Sequence, residues 1–141
     1  MADASIFVDI NVFIDVTEKR SKWQDGAALL ETVKGGRANG HISAITKAIL
    51  YFRRSRITTD RLARHDVLEI TKGFKIVDLS ESLVDKAFAD ERFRDVEDAI
   101  QFHSCVSVAR ILVTRNKRDY STVAGEIELL SPEEFLKKYI V

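Results

Sequence analysis

Ser5-Ile6-Phe7-Val8 is an apolar run that stops at Asp9. A strand with one solvated face alternates apolar and polar side chains, whereas consecutive apolar residues suit a strand covered on both faces, at the centre of a sheet. Further strand candidates follow: His41-Ile42, Phe74-Lys75-Ile76-Val77, Ile111-Leu112-Val113 and Glu128-Leu129-Leu130. Stretches of helical character separate them. Parallel neighbours need a long crossover, usually a helix, so this alternation predicts an α/β fold with a central parallel sheet. In such sheets ligands bind at the carboxyl edge of the strands. That rule singles out Asp9, the residues after Val113 and the starts of helices that follow strands.

After a polar stretch, Trp23, Ala27, Leu30 and Val33 recur at helical spacing, and Gly35-Gly36 supplies a stop. Ser43 is the expected N-cap of a helix over Ala44 to Arg56, in which Ile45, Ile49 and Phe52 share a face. A less regular helix is expected between Thr58 and Ile70. Ser80 or Ser82 would cap a helix carrying Leu83, Ala87 and Phe88, and another is expected from Val96 to Ala109. Ser131-Pro132-Glu133-Glu134 combines an N-cap serine, a first-turn proline and two acids, and is the clearest helix start in the chain.

The chain has 141 residues, with no internal repeat, low-complexity tract or Pro/Ser-rich linker, which fits a single domain over 1–141. Lys and Arg together number 22, as do Asp and Glu, so nucleic-acid binding would have to rely on a local basic patch. Cys105 is alone and Met1-Ala2-Asp3-Ala4 opens no signal-like segment, so a reducing cytoplasm is the expected setting. No apolar run is long enough to cross a membrane.

Asp9, Asp98 and Asp119 are acids that the element order can bring to one sheet edge. Carboxylate oxygens suit a hard divalent cation, and Mg²⁺ keeps several waters while using few protein ligands. Asp95 precedes Asp98 by three residues and would share its helix face. Asn11, Thr114 and Asn116 could orient the carboxylates by hydrogen bonds. Taken singly, each acid is by default a turn or capping residue, Asp95 above all.

The same residues resemble the PIN-domain family. Ile6-Phe7-Val8-Asp9-Ile10-Asn11-Val12-Phe13 is similar to its opening strand, and Ile42-Ser43-Ala44-Ile45-Thr46 to its second motif. Asp95-Val96-Glu97-Asp98-Ala99-Ile100-Gln101 and Val113-Thr114-Arg115-Asn116-Lys117-Arg118-Asp119-Tyr120 resemble its third and fourth. Leu130-Ser131-Pro132-Glu133-Glu134-Phe135-Leu136 is similar to its closing strand and helix. The resemblance implies a three-layer α/β/α fold and a Mg²⁺- or Mn²⁺-dependent ribonuclease of the VapC-like kind. Carried over position by position, it makes Asp9, Asp98 and Asp119 the catalytic metal ligands, with Asn11, Ser43, Thr114 and Asn116 around them. It also implies an RNA substrate, the toxin role of a toxin–antitoxin pair with a small antitoxin as partner, and a homodimer, to which Ile49-Leu50-Tyr51-Phe52 could contribute.

One position departs from the pattern. Many PIN domains carry a Glu six residues after the second-motif Ser, where this chain has Ile49. Losing that carboxylate weakens the case for a pair of ions 3.5–4 Å apart, at about the spacing two-metal sites use. A single ion is therefore expected, with Asp95 as a partial replacement. The alternative is a PIN domain that binds nucleic acid or protein without cutting.

Arg53, Arg54, Arg56, Arg61 and Arg64 form one basic cluster, and Arg115, Lys117 and Arg118 a second, nearer the expected site. His41, His65 and His103 lack zinc-ligand spacing, and Cys105 has the surroundings of a buried thiol. No Gly-rich phosphate loop supports a phosphatase or a flavodoxin-like regulator on the same sheet.

Overall fold

The computed structural model describes residues 4–140, so three of the four residues of the N-terminal stretch Met1 to Ala4 lie outside it. Five strands, β1 (Ser5–Val8), β2 (Asn39–Ser43), β3 (Lys75–Val77), β4 (Ile111–Val113) and β5 (Glu128–Leu130), form one sheet in the order β3-β2-β1-β4-β5. Every pairing is parallel. Helices α1 (Ile10–Thr17), α2 (Trp23–Lys34), α3 (Thr46–Ser55), α4 (Asp60–Ile70), α5 (Glu81–Ala89) and α6 (Val96–Val106) supply the crossovers. A 3-10 helix over Lys117–Val123 follows β4, and α7 (Pro132–Phe135) runs into a wider π turn over Leu136–Ile140.

The central strand explains the layers. Ile6 and Val8 of β1 enter one apolar cluster with residues of α1, α2 and α3, while Phe7 enters the other with Phe102, Cys105 and Tyr120. In β4, Ile111 and Val113 face the first cluster and Leu112 the second. Alternate side chains of a strand point to opposite faces, so a strand apolar throughout must be covered twice, and this gives the α/β/α sandwich that the resemblance implied.

Several boundaries differ from the sequence reading. α1 follows Asp9 without a spacer, where no element was expected. Its run Ile10, Val12, Phe13, Ile14 is buried almost all round, so it lacks the polar face that marks a helix in sequence. Ser43 is the last residue of β2 and not a helix cap: α3 starts at Thr46 from a helical Ile45, and the buried Ser43 Oγ accepts a hydrogen bond from the Ile45 amide at 3.3 Å. Thr59 caps α4 and Ser80, rather than Ser82, caps α5. α6 ends at Val106, and Ser131 and Glu134 form the reciprocal capping box of α7.

Candidate active site

Asp9 leaves β1 and begins α1, fully buried at the carboxyl edge beside the end of β4. Its backbone amide donates to the Val113 carbonyl at 2.9 Å, which fixes it against β4. Its two carboxylate oxygens are in different situations. Oδ2 accepts from the Thr114 hydroxyl at 2.7 Å and from the Asn11 amide at 3.3 Å. Oδ1 is buried and has no hydrogen-bond partner. Asp9 occupies the N-cap position of α1 but makes no side-chain cap hydrogen bond of ordinary geometry.

A buried carboxylate with an unmatched oxygen is costly while charged. Burial accordingly raises the Asp9 pKa, against the lowering effect of Thr114 and Asn11, and Asp119 adds to the rise. Asp98, in the first turn of α6, is pushed up to about 7, first by burial and then by the Asp9 and Asp119 carboxylates. The three predicted aspartates therefore share one field. Glu97, half-buried, is raised by burial and then by Asp95 and Asp9, with Arg53 opposing.

These features fit a hard cation: an orphaned buried oxygen, a donor set made only of carboxylates, and charge repulsion that a positive ion would relieve. Among the described residues no three His, Cys, Asp or Glu side chains are gathered closely enough to hold a metal ion as they stand, so Asp98 and Asp119 would have to close on Asp9 to share one. Mg²⁺ suits an open arrangement, because water completes its shell.

The supporting residues divide. Thr114 Oγ1 donates to Asp9 and accepts from the Asn116 amide at 3.0 Å, so one hydroxyl joins Asp9 to the β4 exit. Asn116 contributes through its backbone, its carbonyl accepting from the Asp119 amide at 3.0 Å. The register of β1 with β2 carries Ser43 to the same edge as Asp9, although its hydroxyl serves its own turn. Asp95 is exposed and caps α6 by accepting from the Glu97 amide at 2.8 Å. Ile49 packs against the apolar cluster that contains Ile10 and Leu50.

The basic residues divide as well. Arg53 pairs with Glu18 and Arg54 with Asp66, at 2.7 and 2.8 Å. Arg115 is largely buried, bonded to Glu133 at 3.0 Å and to the Lys22 carbonyl at 2.8 Å, and so ties α2 to α7. Lys117 pairs with Glu134 at 2.8 Å. Arg118 instead lines a cleft of about 280 Å³ that also holds Asp98 and Asp119.

Two side chains at the site have no counterpart in the sequence reading. Tyr120 is fully buried, and its hydroxyl lies against the Asp9 carboxylate without reaching hydrogen-bonding geometry. Burial raises its pKa well above that of a free tyrosine, and Asp9, Asp98 and Asp119 raise it further. Gln101, also fully buried, accepts from the Ile10 amide through Oε1 at 3.4 Å and leaves Nε2 unpaired. Its position three residues after Asp98 was the available signal, since that spacing places both on one helix face.

The family model of the PIN domain matches residues 5–118. No curated protein matches the chain in sequence. Among solved structures, the fold is similar to VapBC2 from Rickettsia felis bound to a DNA fragment from their promoter, at TM-score 0.68 and 15% identity over 90% of this chain and 98% of that one. A toxin-antitoxin complex from Klebsiella pneumoniae aligns at TM-score 0.65 and 20% identity, covering 90% and 97%. VapBC-1 from nontypeable Haemophilus influenzae aligns at TM-score 0.66 and 14% identity, covering 92% and 98%.

Proposed function

This chain belongs to the PIN-domain family, and from that premise we propose that it is a ribonuclease that hydrolyses RNA phosphodiester bonds, with Asp9, Asp98 and Asp119 holding Mg²⁺ or Mn²⁺. PIN domains are generally nucleases and generally depend on a divalent metal. The observation that carries the reading is the divided Asp9 carboxylate, with Oδ2 fixed by two donors and Oδ1 buried and unmatched. When bound there, a divalent cation would supply Lewis acidity, making water a better nucleophile and offsetting charge on the phosphoryl group. The protein's part is orientation. Thr114 and Asn11 hold the Asp9 plane, the Asn116 carbonyl holds the Asp119 backbone, and Asp98 would hold the cation as its carboxylate.

The purified protein is expected to cut RNA with Mg²⁺ or Mn²⁺ and to stop with EDTA or on Asp98→Asn. Cleavage that persists in the Asp98→Asn protein would overturn the assignment. A second reading, binding without cutting, is favoured by Ile49 alone; a gain of metal affinity or cleavage on Ile49→Glu would support it.

The similar structures include complexes of toxin with antitoxin, which supports a small antitoxin as partner and the toxin role for this chain. We extend the proposal to a homodimer through the α3–α4 face. Of Ile49-Leu50-Tyr51-Phe52, Leu50 is buried and Phe52 is 64% exposed, beside Leu68 at 61%. A cytoplasmic setting belongs to the same proposal, and no described helix is long and apolar enough to cross a membrane.

A further inference from the structure

The cleft that holds Asp98 and Asp119 has a second wall of opposite charge. It is lined by Arg92, Arg94 and Arg118 together with Ser121 and Thr122. Arg92 is spoken for: it chelates Asp90 at 2.8 Å, reaches Glu126 at 2.5 Å and lies 5.5 Å over the Phe102 ring. The Thr122 hydroxyl donates to the Arg92 carbonyl at 3.4 Å. These contacts fasten the segment before α6 to the 3-10 helix and its following turn, and so hold Arg94 and Arg118 on either side of one opening.

Arg94 and Arg118 are exposed, and among the described residues neither is in an ion pair or a hydrogen bond. The other basic residues near the site are engaged, Arg53 with Glu18, Arg115 with Glu133 and Lys117 with Glu134. Two unpaired guanidiniums with the Ser121 hydroxyl, in a recess beside the acidic centre, are a donor set for phosphate oxygens, since each guanidinium presents a planar fork that matches them. A recess of about 280 Å³ has room for a backbone phosphate and its sugar but not for a duplex.

We propose that Arg94 and Arg118, with Ser121, form a subsite for a phosphodiester of single-stranded RNA next to the bond being cut. The subsite rests on the ribonuclease reading for the identity of its ligand. It assigns the strand a path from the acids across the 3-10 helix, and it leaves the Arg53–Arg54 cluster out of that path.

The test measures binding without catalysis. A labelled single-stranded RNA of roughly ten nucleotides, within the span such grooves cover, is titrated in EDTA by fluorescence anisotropy at several salt concentrations. The double variant Arg94→Ala/Arg118→Ala is expected to bind about tenfold more weakly. Its slope of log affinity against log salt should fall by about 0.7, the contribution of the one single-strand phosphate that the protein no longer neutralises. Arg94→Lys/Arg118→Lys should retain most of the slope, and the distant pair Arg56→Ala/Arg61→Ala should stay within about twofold of wild type. Equal binding by wild type and the first variant overturns the subsite, and so does an equal loss in the distant pair. Unchanged melting temperatures show that the variants are folded. Cleavage is scored separately with Mn²⁺: a protein that binds through these arginines and cuts nothing keeps the subsite and loses the nuclease reading. One that cuts while binding is indifferent to them does the reverse.

Discussion

At the scale of single residues, Asp9 and Asp98 determine how the site responds to pH. Asp98 titrates near 7 in the folded protein and at an ordinary carboxylate value when unfolded, and Asp9 is also raised. Between roughly pH 4 and 7 the folded state therefore binds more protons than the unfolded one, so stability falls as pH rises through that window. Without divalent cation, the melting temperature should be higher at pH 5 than at pH 8. Adding Mn²⁺ should raise it more at pH 8, where the carboxylates are charged and ready to bind. Equal shifts at both pH values would argue against a carboxylate-held ion. Tyr120→Phe removes a buried hydroxyl that has no partner, and relieving such a group is worth about 1–3 kcal/mol. Urea denaturation in EDTA should show the variant to be the more stable protein, and equal or lower stability would mean that the hydroxyl is satisfied. The position of Asp9 at the carboxyl edge was legible in the sequence, because it follows an apolar strand in an α/β chain. Tyr120 was not, because only the fold turns its hydroxyl towards Asp9.

At the scale of elements, sequence patterning succeeded where one face of an element meets water. α2, α4 and α5 showed their periodicity, and α7 its capping box, because each mixes buried with exposed positions. α1 was missed for the opposite reason, and the Lys117–Val123 helix because its charged residues read as a loop. Ser43 looked like a cap in sequence, yet its hydroxyl is spent inside the β2 turn, and local hydrogen bonding of this kind competes with capping. Close approach between elements is also invisible to periodicity. A Cβ on Gly40 would stand 2.6 Å from Val33 Cγ1 and 2.7 Å from Phe74 Cε2, so β2 comes closer to its covering side chains than an alanine allows. Gly40→Ala should cost about 1–3 kcal/mol, as overpacking in a filled core does, read as a lower urea midpoint with an unchanged slope. An unaltered midpoint would show that Val33 and Phe74 move aside freely.

At the scale of the whole molecule, the alternation of strands and helices was enough to predict a parallel sheet, while the strand order came only from the structure. Between α3 and α4, the exposed Phe52 and Leu68 line one apolar recess with Tyr51 and Val67, a concentration of apolar side chains unusual for a face that meets only water. Phe52→Glu/Leu68→Glu should convert a dimer to a monomer by light scattering without lowering the melting temperature of the isolated chain. A wild-type monomer at working concentration would remove the homodimer proposal. β1, the first strand of the chain, is the middle of the sheet, flanked by β2 on one side and on the other by β4, which begins at residue 111. Asp9 and the Thr114 that orients it are separated by 105 positions. During synthesis Asp9 emerges early but gains its neighbour only when most of the chain has left the ribosome. Every fragment ending before that point, whether from stalled translation, a damaged message or a protease, lacks the wall that aligns the acid. Such a fragment has no assembled acidic centre.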